Sequence, residues 1–280
     1  MGAQFYNVGM TWFDKNFRSE ARENLKLAAP LIAAQLAGIG MGVVDTIMAG
    51  RLGSQPLAAV AVGSNLNVIF LVFFMGVLMA CSPIVAHRAG AGEADERVGG
   101  FVRETQLLAL GLGAIWVIAA HLIAGPVLLH VGLDPKTAQI AVDFLRAYSW
   151  SAFGMSQWFV LRFTAEGVGV TTPTFYSGVL ALATNAFLDW VLMYGRFGLP
   201  AMGAVGCGWA TTISSVLMAG VMAWQFRSNA TLRALRIFAS LGATAPAALP
   251  GIDYSAGSAP RPTVWTSGMS GNKPVVAKPS

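Results

Sequence analysis

The sequence predicts an all-α membrane protein built as a six-transmembrane-helix bundle, and three observations carry that expectation. The chain is 55% hydrophobic and only 11% charged, whereas a soluble domain carries about 25% charged residues. Six windows are long and apolar enough to cross roughly 30 Å of hydrocarbon as a helix. They are too long for strands and lack the alternation a membrane barrel requires.

Residues 1–23 are polar and mixed in charge, with no apolar core of a signal peptide, and Tyr6 stands where a myristoylation pattern needs Ser or Thr. They are expected to form a cytoplasmic segment, and the spans to hold the chain in the bilayer. The first window is Leu27–Gly50 and the second Leu57–Ala86. The connection to the third, HRAGAGEADERVGGF, reads as a solvated turn. It is not a phosphate loop, since no strand precedes it and neither G-x-G-x-x-G nor the Walker spacing is met. The third window is Thr105–Leu129, the fourth Ile140–Thr164, the fifth Phe175–Tyr194 and the sixth Gly203–Phe226. Together they predict a transmembrane lobe over residues 24–239. From about residue 240 six of the thirteen prolines appear without helical periodicity, which predicts a disordered C-terminal tail over 240–280.

Pro30, Pro83 and Pro173 lie near one end of their windows and read as helix boundaries. Glycines crowd the first window (Gly38, Gly40, Gly42) and the sixth (Gly203, Gly206, Gly208, with Ala210), which predicts close helix packing on small faces. DTIMAGRLG closes the first window and DWVLMYGRFG the fifth, an echo that suggests similar packing at the two helix ends.

If the helices alternate, one side of the membrane holds Lys15, Arg18, Arg22, Lys26, Arg88, Arg97, Arg103, Arg162, Arg227, Arg233 and Arg236. The other holds Arg51, Lys136 and Arg196. The positive-inside rule then places the N-terminus in the cytoplasm of a multi-pass inner-membrane protein. The net charge of +5 is therefore a topology signal with a secondary attraction to anionic lipid, and no nucleic-acid partner is expected. Asn229-Ala230-Thr231 matches a glycosylation tripeptide on the cytoplasmic side and is discounted.

An ionisable group in mid-membrane costs roughly 2.5–3.5 kcal/mol on insertion scales, so it marks a candidate site. Two acids stand out, Asp45 and Asp189. Asn185 precedes Asp189 by one helical turn and shares its face. Counted back from Arg51 and Arg196, both acids lie on the order of 10 Å below the outer surface. Asn65, Asn67 and Thr211 fall at a comparable depth on the second and sixth helices, and Gln157 is a further polar candidate on the fourth. The layer predicts a hydrated pocket open toward the outer side, whose oxygens suit Na+ or a bound proton. Simple pairing of Asp45 with Arg51, or a helix–helix hydrogen bond at Asn185, is the plainer alternative. Trp150, Phe153, Trp158 and Phe159 are expected to pack against lipid or core. Lining a cavity for flat apolar cations is their alternative role. Cys81 and Cys207 read as small packing residues, and His87, His121 and His130 lack ligand spacing, so no metal site beyond Na+ and no cofactor is predicted. No nucleophile–base pair points to an enzyme.

The segments LKLAAPLIAAQLAGIGMGVVDTIMAGRLG, MGVLMACSPIVAHRAGAG, LRFTAEGVGVTTPT and NAFLDWVLMYGRFGLPAMGAVGCGWAT resemble the multidrug and toxic compound extrusion (MATE) transporters, in their NorM-type branch, in order from about Glu20 to Ala239. The resemblance implies an antiporter that expels cationic amphiphilic drugs against inward Na+ or H+. It also implies cation-binding roles for Asp45, Asn185, Asp189 and Thr211. Family members have twelve helices in two lobes, so the chain is expected to match the N-terminal lobe. A truncated or frameshifted reading frame would account for its ending. Transport would then need a second copy or a separate C-terminal lobe, and an inactive truncated membrane fragment is the alternative.

Overall fold

Hydrocarbon favours helices because they satisfy every backbone polar group internally, and helices dominate the computed structural model, which describes residues 15–92, 95–130 and 132–238. The expected N-terminal segment before residue 15 and the tail after residue 238 lie outside the described residues. Helix α1 runs Lys15–Leu52, α2 Ser54–Met79, α3 Cys81–Gly90, α4 Asp95–His130, α5 Pro135–Ser149, α6 Ser151–Gly167, α7 Thr172–Tyr194, α8 Ala204–Ser228 and α9 Ala230–Ala234. Among the described residues, five spans meet the length and hydropathy of a membrane crossing: Ala28–Leu52, Ser54–Gly90, Arg97–His130, Thr172–Tyr194 and Ala204–Ser228.

The fourth expected span is assembled from two shorter helices, α5 and α6, meeting at Trp150, whose φ of −64° and ψ of −20° stay helical. That window also holds Asp143 and Arg146. Arg146 is exposed and Asp143 half-buried on the polar face of α5, with Gln139 Nε2 donating to both Asp143 oxygens at 3.1 and 3.2 Å. Asp134 caps α5 by accepting from the Thr137 N–H at 3.3 Å, and Pro135 occupies the first turn.

α8 is the central helix. It packs along α5, α6 and α7, and α1 lies against α7. More than half of the α8 apolar window is buried inside the molecule, against about a fifth for α1 and α2. Small residues permit this. A Cβ on Gly154 of α6 would sit 2.5–2.6 Å from Ser215 and Val216, and one on Gly206 would sit 2.7 Å from Leu192. The first helix departs from the small-face expectation, since a Cβ on Gly38 or Gly42 would meet nothing within 4 Å. Those two glycines border open space instead.

The outward faces are apolar. Ile32, Leu36, Ile39, Val43 and Ile47 on α1 and Leu107, Ile115 and Leu122 on α4 are all exposed, the inverse of a soluble surface and suited to a bilayer. Helix ends that alternation assigns to one side do meet. Gln55 Nε2 donates to Asp134 Oδ2 at 3.5 Å, and Tyr194 Oη donates to the Met48 carbonyl at 3.1 Å.

Other local expectations change. α1 continues through Pro30 to Lys15, so this proline lies inside a helix and only removes one backbone donor. Pro83 and Pro173 do sit in first turns. Both flanks of the glycine-rich connection are helical, α3 reaching Gly90 and α4 starting at Asp95. The echo at the ends of α1 and α7 is not conformational. Gly50 is inside α1, whereas Gly195 ends α7 at φ 67°, where a Cβ would lie 2.6 Å from the Ala201 nitrogen. Asn229 caps α9, its Oδ1 accepting from the N–H groups of Thr231 and Leu232 at 3.0 and 3.3 Å. α9 was not anticipated. It buries Leu232, and after it Leu235 and Ile237, in the cluster that contains Val98, Val102 and Phe226.

Candidate cation site and adjoining cavity

Three helices converge on one buried polar node. Asp45 from α1 is 7% exposed, Asn185 and Asp189 from α7 are 0% exposed, and Thr211 from α8 is 3% exposed. The one-turn spacing on α7 puts Asn185 and Asp189 on one face, and the α1–α7 and α7–α8 packing brings Asp45 and Thr211 to it. Asn185 Nδ2 donates to Thr211 Oγ1 at 3.3 Å, and that hydroxyl donates to the Cys207 carbonyl at 3.1 Å. The Thr211 hydroxyl proton is spent on that carbonyl, and one N–H of the Asn185 amide on the hydroxyl. The unpartnered atoms are acceptors: Asp45 Oδ1, Asn185 Oδ1 and both oxygens of Asp189 are buried without a hydrogen-bond partner.

Arg51 does not supply the missing charge. It is exposed at the end of α1 while Asp45 is buried, and among the described residues no ion pair joins them. Two carboxylates at no more than 4.8 Å repel by roughly 3–4 kcal/mol at an effective dielectric near 20. Among the described residues no ion pair reaches these converging, unpartnered oxygens, and such a set fits a small cation. A hard metal ion and a proton both satisfy it.

Cys207 also belongs to the node. Its Sγ and one oxygen from each of Asp45 and Asp189 all lie within 4.8 Å of one another, and all three residues are buried. Sequence reasoning placed it in the packing, although the signal was present: Cys207 precedes Thr211 by one turn, as Asn185 precedes Asp189. Cys81 is a packing residue, its Sγ 3.5 Å from Thr164 Oγ1 in the core. His121 and His130 each donate from Nδ1 to the carbonyl four residues earlier, at 2.9 and 2.6 Å.

A cavity of about 360 Å³ adjoins the node, and Asp45 and Thr211 are part of its wall. It follows α1 from Asp45 back to Ala34, past Gly42 and Gly38, and reaches Arg162 on α6. The pocket expected toward the Arg51 end thus extends the opposite way along α1. Trp158 and Phe159 line it, so these aromatics face a cavity, the less favoured of their two expected roles, whereas Trp150 is exposed. Trp158 Nε1 donates to Ser177 Oγ at 2.9 Å. Arg162 is held by Glu166 at 2.6 Å and lies 5.1 Å from the Trp158 ring centroid. Tyr148, Arg162 and the two glycines were not singled out for this wall from the sequence.

The remaining polar candidates are elsewhere. Asn67 Oδ1 accepts from Trp116 Nε1 at 2.9 Å between α2 and α4. Asn65, two positions earlier, is exposed. Gln157 Nε2 donates to the Gln106 carbonyl at 3.0 Å. None of the three is in the cavity wall, where α2 contributes Ser64 instead.

Known proteins share this arrangement of helices. The chain is 37% identical over 218 residues to the multidrug resistance protein MdtK of Klebsiella pneumoniae subsp. pneumoniae, an alignment covering 78% of this chain and 47% of the relative. It is 35% identical over 214 residues to the probable multidrug resistance protein NorM of Shewanella oneidensis, covering 75% and 46%. The chain spans about half the length of these relatives. Among solved structures, the eukaryotic MATE transporter AtDTX14 superposes with a TM-score of 0.69 at 22% identity, covering 80% of this chain and 49% of that one. An outward-facing multidrug resistance MATE family transporter of the MOP superfamily gives 0.63 at 22% identity, covering 72% and 44%. The MatE family model matches residues 30–191, more than half of a chain whose helices already follow the fold of those transporters, and the chain belongs to the MatE family.

Proposed function

We propose that this chain is the cation-binding lobe of a multidrug antiporter, in which cationic amphiphilic drugs leave as Na+ or H+ enters. One observation carries the reading: the only node oxygens left without partners among the described residues converge next to an aromatic-lined cavity, and Asp45 belongs to both. A cation on Asp45, Asn185, Asp189 and Thr211 draws α1 toward α7 and α8. A drug cation in the cavity competes for the Asp45 carboxylate against the Trp158 and Phe159 rings. Binding at one place therefore disfavours binding at the other, which is the linkage exchange requires.

The basic helix ends on the α3–α4, α6–α7 and α8–α9 side support an N-terminus in the cytoplasm. A second lobe, from a separate chain or a second copy, supplies the opposing bundle for alternating access. The alternative reading is an inactive truncated membrane fragment. Drug-driven counterflow of Na+ or H+ in vesicles tests the proposal. Exchange that appears with a supplied second lobe and disappears in Asp45→Asn and Asp189→Asn supports it. Exchange indifferent to both substitutions refutes the site, and no exchange with any second lobe favours the fragment.

A further inference from the structure

The sulfur in the node has no place in the binding of a hard cation. Oxygen donors serve Na+, and a thiol adds little to them. Cys207 Sγ, an Asp45 oxygen and an Asp189 oxygen nevertheless form a triangle with no side longer than 4.8 Å. An ion at its centre is roughly 2.8 Å or less from each atom. Inward shifts of about 0.5 Å for the sulfur and about 0.6–0.8 Å for the oxygens reach the 2.3 Å and 2.0–2.2 Å that Zn²⁺ takes with them, and the larger Cd²⁺ requires less. Asn185 supplies an independent sign of a missing ligand: it is fully buried, stands against Asp45, and its Oδ1 has no partner. An entry path exists, since Asp45 and Thr211 are in the wall of the 360 Å³ cavity.

We infer that Asp45, Asp189 and Cys207 form a site for a thiophilic divalent cation of the Zn²⁺ or Cd²⁺ class, with Asn185 Oδ1 available as a fourth donor, and that such an ion excludes the coupling cation. The inference rests on the reading of the node as a cation site. On binding, the Cys207 S–H bond breaks, its proton passes to water, and a sulfur–metal bond forms. Two carboxylates and a thiolate then hold a 2+ ion, and no oxidant or reductant is needed. A softer ligand set thereby lets a soft divalent metal block a site whose oxygens alone suit Na+ or H+.

The test uses Cd²⁺ on the purified full-length chain in detergent. The expected result is a near-ultraviolet sulfur-to-cadmium charge-transfer band that saturates at one equivalent, is absent in Cys207→Ser and is retained in Cys81→Ser. Asp189→Asn weakens Cd²⁺ at least tenfold. X-ray absorption at the cadmium edge on the wild-type chain, which needs no variant to fold, should show one sulfur with oxygen or nitrogen neighbours. No binding, an all-oxygen shell, or a band that survives Cys207→Ser overturns the inference. The two readings fail separately. Cadmium bound through Cys207 without any drug-driven cation exchange sinks the transporter proposal alone, and exchange without cadmium binding sinks this one alone.

Discussion

Replacing Asp189 by asparagine should stabilise the protein when no cation is present. Both Asp189 oxygens are buried without partners and face the Asp45 carboxylate, whose Oδ1 is also unpartnered. With both acids ionised, the pair repels by roughly 3–4 kcal/mol at an effective dielectric near 20. Asp189→Asn removes one charge and offers an amide N–H to Asp45, and a hydrogen bond to a charged group contributes about 1.5–3 kcal/mol. Taking the smaller figure as the net gain, the melting temperature in alkaline, Na+-free buffer should rise by roughly 3–6 °C, at about 2–4 °C per kcal/mol for a chain of this size. The wild-type chain, if Na+ is its ion, should gain about 2.7 kcal/mol at a hundredfold excess over Kd, and the variant should gain almost nothing. Thermal unfolding in detergent followed by size-exclusion fluorescence reads both effects. A variant that melts below the wild type without Na+, or that keeps the full Na+ response, would refute the description of Asp189 as an unpartnered acceptor in a cation site.

Three further outcomes follow from the packing. Gly154→Ala forces a Cβ to within 2.6 Å of the α8 backbone and should cost about 1–3 kcal/mol by overpacking. Gly111→Ala, whose Cβ meets nothing within 4 Å, should stabilise by about 0.5–1 kcal/mol, and equal melting temperatures for the two would contradict the α6–α8 crossing. Trp116→Phe leaves buried Asn67 without its donor and should cost about 1–3 kcal/mol beyond lost packing. A double-mutant cycle with Asn67→Leu measures that coupling, and a value near zero would count against the bond. Gly42→Leu places an isobutyl group in open cavity space and should abolish binding of a fluorescent organic cation while the chain folds normally. Undiminished dye affinity would place the drug elsewhere.

The helical membrane fold was legible because hydrocarbon thickness imposes a minimum apolar length that few soluble elements reach, and five of the six expected windows overlap a helix that meets it among the described residues. Elements below that length were not: α9 is five residues long and carries no periodicity of its own, and nothing in the residues around Trp150 marks a break. The node was legible through helical geometry, since Asn185 and Asp189 share a face and matched depth brought Asp45 and Thr211 to the same level. The same geometry counts against grouping Asn65 with Asn67. Residues two apart on a helix point to nearly opposite sides, and the structure turns one outward and the other toward Trp116. Cavity walls were the least legible part. Gly38 and Gly42 read as packing until a neighbour's absence could be observed, and Arg162 read as a topology charge until its pairing with Glu166 placed it beside Trp158.

Under the proposed function, the position of Asp45 would let a single carboxylate couple two cations without a long relay. It is the node's only acid in the cavity wall, while Asp189 lies behind it, fully buried. On the proposed reading a small cation in the node neutralises Asp45 from the α7–α8 side and leaves the cavity with little negative charge. A drug cation neutralises the same carboxylate from the cavity side and leaves Asp189 to hold the small ion with fewer donors. The two ligands are then linked by competition for one charge, and the linkage needs only a modest shift of α1. That helix is suited to such a shift: about a fifth of its apolar window is buried, and its glycines at 38 and 42 face open space rather than a neighbour. On the same reading α1 shifts against α7, its main neighbour, and helix α8, locked through Gly206 against α7 and through Gly208 against α5, holds that neighbour in place.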